Sequence, residues 1–217
     1  MKPNIVVHLA AMAGVRPSIE QPAYYTAVNL DGTVNLLDAA VAVGTSRFVF
    51  ASSSSVYGNN EKTPFAETDS VDEPISPYAA TKRAGELICH TYWHLHKLPI
   101  FCLRFFTVFG PRQRPDLAIS KFIRLVDKGE PIPMFGDGTT SRDYTFVGDI
   151  VMGITSAIDR CDRLRIYNIG GSSPVSLKDL IDTIGQVVGK TPQIKQLPMQ
   201  PGDVNRTWAD LTRSEAE

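Results

Sequence analysis

Short apolar segments alternate with long helical patterns through the first half of this 217-residue chain. The segments are apolar runs at 5–9, 47–51 and 100–105 and helical patterns at 28–43 and 77–96. Runs of this length are typical of buried strands, and apolar residues that recur every three or four positions are typical of helices. Gly44 and Pro99 follow the two helical patterns, as residues that end helices do. The alternation predicts an α/β fold in which helices cover parallel strands.

From Ile119 onward the pattern becomes less regular. The predicted elements are a helix at 119–128, a segment rich in proline and glycine up to 138, a helix at 148–160, a strand at 166–169 and a helix at 177–188. Ser176, with Asp179 three residues later, forms a capping arrangement for the last helix. The change of pattern marks a second part of the chain.

Tyr78 and Lys82 are four residues apart at the predicted start of the long helix. Ser76 is suited to cap this helix and Pro77 to occupy its first position, which places Tyr78 in the opening turn. Residues at i and i+4 share a helix face, so the ammonium of Lys82 is expected near the phenol. A neighbouring cation and the positive end of the helix dipole both favour the phenolate. The pattern therefore predicts a phenol whose pKa is lowered and which can shuttle protons.

The same spacing has a simpler interpretation, because Tyr-x-x-x-Lys occurs by chance in many helices as a packed ring beside a solvated amine. The surrounding sequence favours chemistry. The predicted buried strand at 47–51 runs directly into four serines, Ser52 to Ser55. Hydroxyls at the carboxyl end of a parallel strand lie at the edge where open α/β sheets bind their ligands.

Charge and cysteine content argue against several other classes of protein. The net charge of −1 and the scattered basic residues provide no surface for nucleic acid or for an anionic membrane. Cys89, Cys102 and Cys161 are odd in number and widely spaced, which predicts reduced cysteines in a cytoplasmic protein. Three of the four histidines share one helix without an acidic partner at ligand spacing, so no metal site is expected. No apolar stretch is long enough to span a bilayer.

Further motifs extend over essentially the whole chain. They are His8-Leu9-Ala10-Ala11, Asn29 to Leu37, Leu103 to Pro111, Gly136-Asp137-Gly138, Ser141 to Tyr144, Val147-Gly148-Asp149 and Pro201 to Val204. Each is weak alone. In this order, and together with Tyr78, Lys82 and the serine-rich strand end, they resemble the extended short-chain dehydrogenase/reductase family, and within it the NAD-dependent nucleotide-sugar epimerases.

The resemblance implies part of a Rossmann-like, doubly wound parallel sheet that begins near the family's fourth strand. The first three strands and the glycine-rich turn that holds the cofactor pyrophosphate have no counterpart here. The expected domains are 1–115, the C-terminal half of the NAD-binding domain, and 116–217, a smaller mixed substrate-binding domain, with 143–170 returning to the first sheet. We expect a chain truncated at both ends, whose affinity for NAD falls by orders of magnitude.

The resemblance also assigns the chemistry to three residues. Tyr78 removes the proton from the sugar C4 hydroxyl while hydride passes to NAD, Ser53 shares the proton relay, and Lys82 holds the nicotinamide ribose. A transient 4-keto sugar then takes the hydride back on its other face, so the expected reaction is epimerisation at C4. The residues expected to bind the cofactor are Leu9, Ala10, Ala11, Asn29, Ala51, Ser52, Tyr78, Lys82, Phe105 and Val108.

The implied substrate is a UDP-hexose or UDP-hexuronate. Its expected contacts are Arg16, Ser53, Ser54, Tyr78, Thr107, Arg114, Arg142 and Asp203. Arg142 is assigned to the diphosphate and Asp203 to the uridine ribose. Arg16 and Arg114 match arginines at the sugar end of UDP-glucuronate 4-epimerases, although both can also be ordinary loop residues at the surface. Gln200 occupies a position where galactose-type epimerases have arginine, which favours a glucuronate-type enzyme.

Two alternatives stay open at this point. One is an inactive fragment that retains only nucleotide-sugar binding or dimerisation, and the other is a dehydratase or decarboxylase of the same family. Those two reactions use carboxylates where this chain has Ser54 and Ser55, so the residues favour epimerisation. The resemblance implies a homodimer formed through the helices at 28–43 and 78–96. The apolar edge strand at 5–9 is also expected to promote self-association.

Overall fold

The computed structural model of the chain describes residues 2–200 and 202–217, so Pro201 of the 201–204 motif lies outside the described residues. In chain order the strands are β1 (Ile5–His8), β2 (Arg47–Ser53), β3 (Ile100–Phe105), β4 (Thr107–Phe109), β5 (Ile132–Phe135), β6 (Ser141–Phe146), β7 (Leu164–Ile169), β8 (Pro174–Ser176) and β9 (Ile194–Leu197). The α-helices are α1 (Val15–Glu20), α2 (Pro22–Thr26), α3 (Gly32–Val43), α4 (Pro77–His96), α5 (Ala118–Lys128), α6 (Val147–Arg160), α7 (Leu177–Val188) and α8 (Thr212–Ala216). A π-helical turn at Ala27–Asp31 joins α2 to α3, and a 3₁₀ turn at Ser54–Tyr57 follows β2.

Four parallel strands form the main sheet, in the order β1-β2-β3-β7. Ser53 pairs with Phe105, and Phe105 pairs with Ile169, so the carboxyl ends of these strands lie along one edge. The predicted parallel α/β sheet is confirmed. β2 is longer than predicted because Ser52 and Ser53 also pair with β3, which leaves only the last two serines in the turn beyond the strand.

Helices cover both faces of this sheet. Phe48 and Phe50 of β2 pack with Leu37 of α3 in one apolar cluster, to which α4 also contributes. Val49 points to the opposite face, where it packs in a second cluster with Ala157 of α6. Because both faces are covered, the carboxyl edge is the part of the sheet that is available to a ligand.

The two long helices on one face differ in how they begin. α4 has its predicted bounds, and the Ser76 hydroxyl oxygen caps it by accepting a hydrogen bond from the Ala79 amide at 3.2 Å. The helix predicted at 28–43 starts instead with the π-helical turn. This turn contains Asn29, whose side chain binds the backbone of Met12. Single π-helical turns of this kind occur frequently at functional sites.

Two small sheets, β4-β6-β8 and β5-β9, organise the second part of the chain. Phe122 of α5, Ile132 of β5 and Ile181 of α7 share one buried cluster. The segment rich in proline and glycine, for which no strand was predicted, contains β5, which forms despite Pro133 by pairing with the distant β9. β7 and α6 belong with the main sheet, whereas β6 belongs to a small one. The domain limits given above stay predictions.

The outer side of β1 has no strand partner among residues 2–200 and 202–217. The self-association expected from this edge stays a prediction. Over the same residues, no helix is long and apolar enough to cross a membrane. Nor do these residues contain a group of three or more His, Cys, Asp or Glu side chains that could hold a metal ion.

Candidate active site

Three strand ends and the start of α4 meet at the carboxyl edge of the main sheet. β1 continues into the loop Leu9–Ala11, β2 ends in Ser52 and Ser53, and β3 ends at Phe105. α4 packs against both β2 and the 3₁₀ turn that follows it. The structure therefore brings the predicted catalytic residues together with the predicted cofactor residues of the strand ends.

Tyr78 lies in the first turn of α4, where its side chain is half-buried. Burial raises the pKa of the Tyr78 phenol above its usual value, and a hydrogen bond with the Ser53 side chain acts in the opposite direction. That bond lowers the pKa because the Ser53 hydroxyl can donate to the phenolate. The Tyr25 ring packs edge-on against the Tyr78 ring, with 6.4 Å between the centroids. The Ser53 side chain thus lies close enough to the Tyr78 phenol to influence its pKa, as two members of one proton relay must.

Lys82 is oriented differently from the prediction. Its buried ammonium donates to the Ala51 carbonyl oxygen at 2.7 Å and lies 6.0 Å from the centroid of the Tyr78 ring. The expectation that Lys82 lowers the phenol pKa is wrong for this structure, since burial dominates and raises that pKa. The cation that favours the phenolate is Arg114, from the loop after β4. Lys82 itself has its pKa lowered to about 8 by burial.

The buried Lys82 is expected to make the stability of the cofactor-free chain depend on pH. Its pKa is about 8 in the folded state against the ordinary 10.5, so the folded chain binds fewer protons than the unfolded chain between these values. The free energy of unfolding should therefore rise, by up to about 3 kcal/mol, as the pH increases from about 8 towards 10.5. Denaturant unfolding across this range measures the effect.

Lys82→Met should lose this rise and should be more stable than the parent chain at pH 7 by about 2 kcal/mol, after deduction of the lost hydrogen bond. Lys128→Met, at an exposed position on α5, is the matched control and should keep the rise. A Lys82→Met chain with the pH dependence of the parent would contradict the assignment.

Asn29 holds the loop after β1 against α4. Its side-chain oxygen accepts from the Met12 amide at 2.7 Å, while its side-chain nitrogen donates to the Met12 carbonyl and to Thr81 Oγ1, both at 3.0 Å. These three bonds use both amide hydrogens. We therefore interpret the predicted role of Asn29 in cofactor binding as indirect, through the shape of the loop that leads from Leu9.

A cavity of about 410 Å³ lies between the start of α1, the loop after β4 and the second part of the chain, and three arginines line it. They are Arg16, Arg114 and Arg142. Thr107 lines it too. Arg16 Nη2 pairs with Asp203 Oδ2 at 3.0 Å, so two predicted substrate residues form an ion pair in the wall of this cavity.

A smaller cavity of about 120 Å³ adjoins the first and shares Thr107, Arg142 and Asp203 with it. Ser54, from the turn after β2, lines this smaller cavity. Six of the eight predicted substrate residues thus line one or both of these cavities, whereas Ser53 and Tyr78 line neither. Val108 lines the larger cavity from β4, apart from the strand ends where the other predicted cofactor residues collect.

Two of the arginines are held in different ways. Arg114 makes two hydrogen bonds to the exposed Asp116 carboxylate, from Nε at 3.1 Å and from Nη2 at 2.7 Å. Arg142 donates from Nη1 to the Ser141 carbonyl at 2.9 Å, and burial lowers its pKa while the charge of Asp203 opposes that shift. Because the partner of Arg114 is solvent-exposed, Arg114 can exchange it for an anionic ligand at modest cost.

The carboxyl edge fits the nicotinamide half of NAD. Over the described part of the chain, the Lys82 ammonium has one acceptor, the Ala51 carbonyl, so ammonium hydrogens remain for ribose hydroxyls. Leu9, in the loop after β1, is 54% exposed and offers an apolar surface to the nicotinamide ring. The sequence contains no Gly-x-Gly-x-x-Gly turn for the pyrophosphate, so the fit concerns this half of the cofactor alone.

A model of the NAD dependent epimerase/dehydratase family matches residues 1–170 of the chain. The chain belongs to this family. It is 42% identical to a probable UDP-glucuronate 4-epimerase of Rhizobium meliloti, over 99% of this chain and 69% of the relative. It is 41% identical to a UDP-glucuronate 4-epimerase of Thermodesulfobacterium geofontis, over 97% of this chain and 65% of the relative.

Solved structures agree with these relatives. The UDP-glucuronic acid 4-epimerase of Bacillus cereus, in complex with UDP-glucuronic acid and NAD, has a TM-score of 0.91 at 37% identity, over 98% of this chain and 68% of that one. The UDP-glucose 4-epimerase of Thermus thermophilus, in complex with NAD, has a TM-score of 0.93 at 33% identity, over 99% and 71%. The predicted family, Rossmann-type fold class and NAD dependence of the family are confirmed. The findings support the predicted epimerase over the two alternatives.

The chain spans 65–69% of the length of the two curated relatives named above.

Three residues that shape the site were not identified from the sequence. Glu86 is one, although its position four residues after Lys82 and eight after Tyr78 puts it on their helix face, a signal that was available. Arg104 on β3 and Tyr25 on α2 have no such signal, because they reach the site from other elements.

Proposed function

We propose that the protein that carries this chain is an NAD-dependent 4-epimerase of UDP-sugars. The proposal depends on the placement of Ser53 and Arg114, which both act to lower the pKa of the Tyr78 phenol, with Arg114 in the wall of the arginine-lined cavity. NAD, when bound, supplies the redox chemistry at the sugar C4 carbon. The functions of the named relatives and the match to their family support this reading.

The residues of this chain divide the proton chemistry as follows. Tyr78 Oη takes the proton of the C4 hydroxyl and returns it after the sugar has turned its other face. Before Tyr78 takes this proton it is a phenolate, and Ser53 Oγ then donates a hydrogen bond to it. The positive charge of Arg114 also favours the phenolate. The Lys82 ammonium, held by the Ala51 carbonyl, would hold the nicotinamide ribose when NAD is bound.

Epimerisation fits the turn after β2 better than the other reactions of the family. Ser53 Oγ and Ser55 Oγ lie 3.1 Å apart, and the Ser55 amide donates to Ser53 Oγ at 3.2 Å. The turn thus presents hydroxyls where dehydration or decarboxylation would use carboxylates as acid and base. This turn therefore contains no carboxylate that could transfer a proton at a carbon beyond C4.

We further propose that the sugar is a hexuronate. Arg16 of α1 and Arg114 of the loop after β4 both line the cavity, and their guanidinium groups can bind a carboxylate in addition to a diphosphate held at Arg142. The relatives that are UDP-glucuronate 4-epimerases support this choice.

Direct conversion tests the proposed function. The full-length protein that carries this chain, incubated with NAD and UDP-glucuronate, should yield UDP-galacturonate without net formation of NADH. Proton NMR of the sugar distinguishes the C4 epimers, and absorbance follows NADH. An enzyme that leaves both UDP-glucuronate and UDP-glucose unchanged, or that accumulates NADH in step with turnover, would overturn the proposal.

We also propose that the protein forms a homodimer through α3 and α4. Leu36 of α3 and Leu87 and Leu95 of α4 are 39%, 52% and 71% exposed, which leaves apolar side chains on these helices available to a partner. Light scattering coupled to size exclusion should give the mass of a dimer, and Leu87→Glu should give a monomer. Val187→Glu, at an exposed valine of α7, is the control and should remain dimeric. A monomeric parent protein would contradict the proposal.

A further inference from the structure

A charged network lies buried beneath the catalytic edge. The Glu86 side chain on α4 is 0% exposed and the Arg104 side chain on β3 is 1% exposed. Arg104 donates to Glu86 Oε1 from Nε and to Oε2 from Nη2, both at 2.9 Å. Ser52 Oγ on β2 donates to Glu86 Oε1 at 2.6 Å. One carboxylate therefore joins a helix to two neighbouring strands.

Stability alone does not account for this arrangement. Removing two charges from water costs about as much as their mutual attraction returns, and well-packed apolar residues commonly serve the same position equally well. What a bidentate pair does provide is geometry, because both partners must keep their mutual orientation. The position of Glu86 on α4 shows what that geometry controls.

Glu86 shares its helix face with the residues of the proposed reaction. Lys82 precedes it by one turn and donates to the Ala51 carbonyl of β2 at 2.7 Å. The next residue of β2, Ser52, donates to Glu86. Two successive residues of β2, Ala51 and Ser52, thus accept from or donate to side chains on two successive turns of α4. The next residue of β2 is Ser53. These contacts set how far along β2 the first turn of α4 lies.

The network also reaches the serine turn and the fourth strand. Arg104 Nη1 donates to the Tyr57 hydroxyl at 2.9 Å, and that hydroxyl donates to Asn168 Oδ1 on β7 at 2.7 Å. Tyr57 closes the 3₁₀ turn that begins at Ser54. The strand that carries Ser53 is therefore held from both its own end and the helix beside it.

We propose that Glu86 and its partner Arg104 are positioning residues that hold Ser53, Tyr78 and Lys82 in register for proton transfer. They touch neither the sugar nor the cofactor; they act through Ser52 and through the helix. The kinetic part of this inference rests on the proposed function. The geometric part concerns the chain alone and is measured without turnover.

The double variant Glu86→Leu/Arg104→Met tests the inference, because it replaces the buried pair with apolar side chains of similar size. We expect Tm to stay close to that of the parent protein while kcat falls at least about 10-fold with KM little changed. The ¹³Cε resonance of Lys82, assigned with Lys82→Gln, reports its titration directly. Its midpoint, about 8 in the parent, should rise towards the ordinary value as the loosened ammonium gains water. A folded double variant with unchanged kcat and unchanged Lys82 titration would overturn the proposal.

Two further variants complete the design. Arg83→Gln is the matched control, because Arg83 also contacts Glu86 Oε2, at 3.2 Å, but from α4 itself and without crossing to the sheet. It should leave kcat and the Lys82 titration unchanged, and a loss equal to that of the double variant would contradict the role of the crossing contacts. Ser52→Ala removes the hydrogen bond from β2 to Glu86 on α4 without changing a charge. It tests the positioning role even if the double variant does not fold. It should lower kcat about 10-fold and raise the Lys82 midpoint, and parent-like values of both would overturn the inference.

The two readouts separate the possible failures. A parent protein that converts no UDP-sugar refutes the proposed function, yet the Lys82 titration of the variants still confirms or refutes the register. An active parent with an unmoved Lys82 midpoint refutes the positioning role and leaves the epimerase intact.

Discussion

Tyr78→Phe is expected to lower the rate of UDP-sugar epimerisation by about 10³-fold or more, with little change in folding. The phenol is the group placed to take the C4 proton, and general acid–base catalysis by a positioned side chain contributes typically about 10²–10⁴-fold. Loss of the hydroxyl removes that transfer, while Ser53 Oγ keeps its hydrogen bonds with Ser55. The measurement is kcat for UDP-glucuronate, followed by NMR, together with the thermal midpoint of the variant.

Tyr92→Phe is the matched control for this prediction. Tyr92 lies on the same helix, and its hydroxyl donates to Asp38 on α3, away from the carboxyl edge. It should keep kcat within about twofold, since the ring keeps its packing and the change removes only a hydroxyl away from the site. Turnover by Tyr78→Phe above one-tenth of the parent rate would show that another group moves the proton.

The fold was predictable where its signals are local. Ser76 and Pro77 fix the start of α4 through a cap and a preset backbone angle, and both lie within a few residues of the helix they begin. β5 was not predictable, because its hydrogen bonds come from β9 near the other end of the chain. The predicted end of β2 was too early for a similar reason. Serines are typical of loops, but Ser52 and Ser53 pair with residues of β3.

The site, like the fold, contains parts that could be predicted from the sequence and parts that depend on tertiary packing. The pairing of Tyr78 with Ser53 followed from the family resemblance, which assigns both residues to one proton relay. The orientation of Lys82 did not, because the Ala51 carbonyl of β2 competes with the phenol for the ammonium, and only the packing of α4 on the sheet decides between them. The cation that does act on the phenol, Arg114, belongs to a loop beyond β4. Sequence spacing on one helix carries no information about it.

Arg114→Met is expected to reduce kcat/KM for UDP-glucuronate on the order of 100-fold while leaving UDP-glucose within a few fold. A charge-assisted hydrogen bond to a carboxylate is worth about 3 kcal/mol at most. UDP-glucose has no carboxylate, so the variant removes no such bond from it. The variant also removes the charge that favours the Tyr78 phenolate, so the alkaline rise of the pH–rate profile should move to higher pH for both substrates. Steady-state kinetics with the two sugars across pH measures both effects.

Two neighbouring substitutions make the Arg114 prediction specific. Arg112→Met removes the same charge from the same exposed loop, but Arg112 is not among the residues that line the cavity, so its kinetics should match those of the parent. Asp116→Asn releases Arg114 from its present partner and should lower KM for UDP-glucuronate, because the guanidinium then no longer exchanges one carboxylate for another. Equal losses for both sugars in Arg114→Met would place this arginine at the diphosphate instead of the sugar, and the hexuronate assignment would then fall while the epimerase assignment would stand.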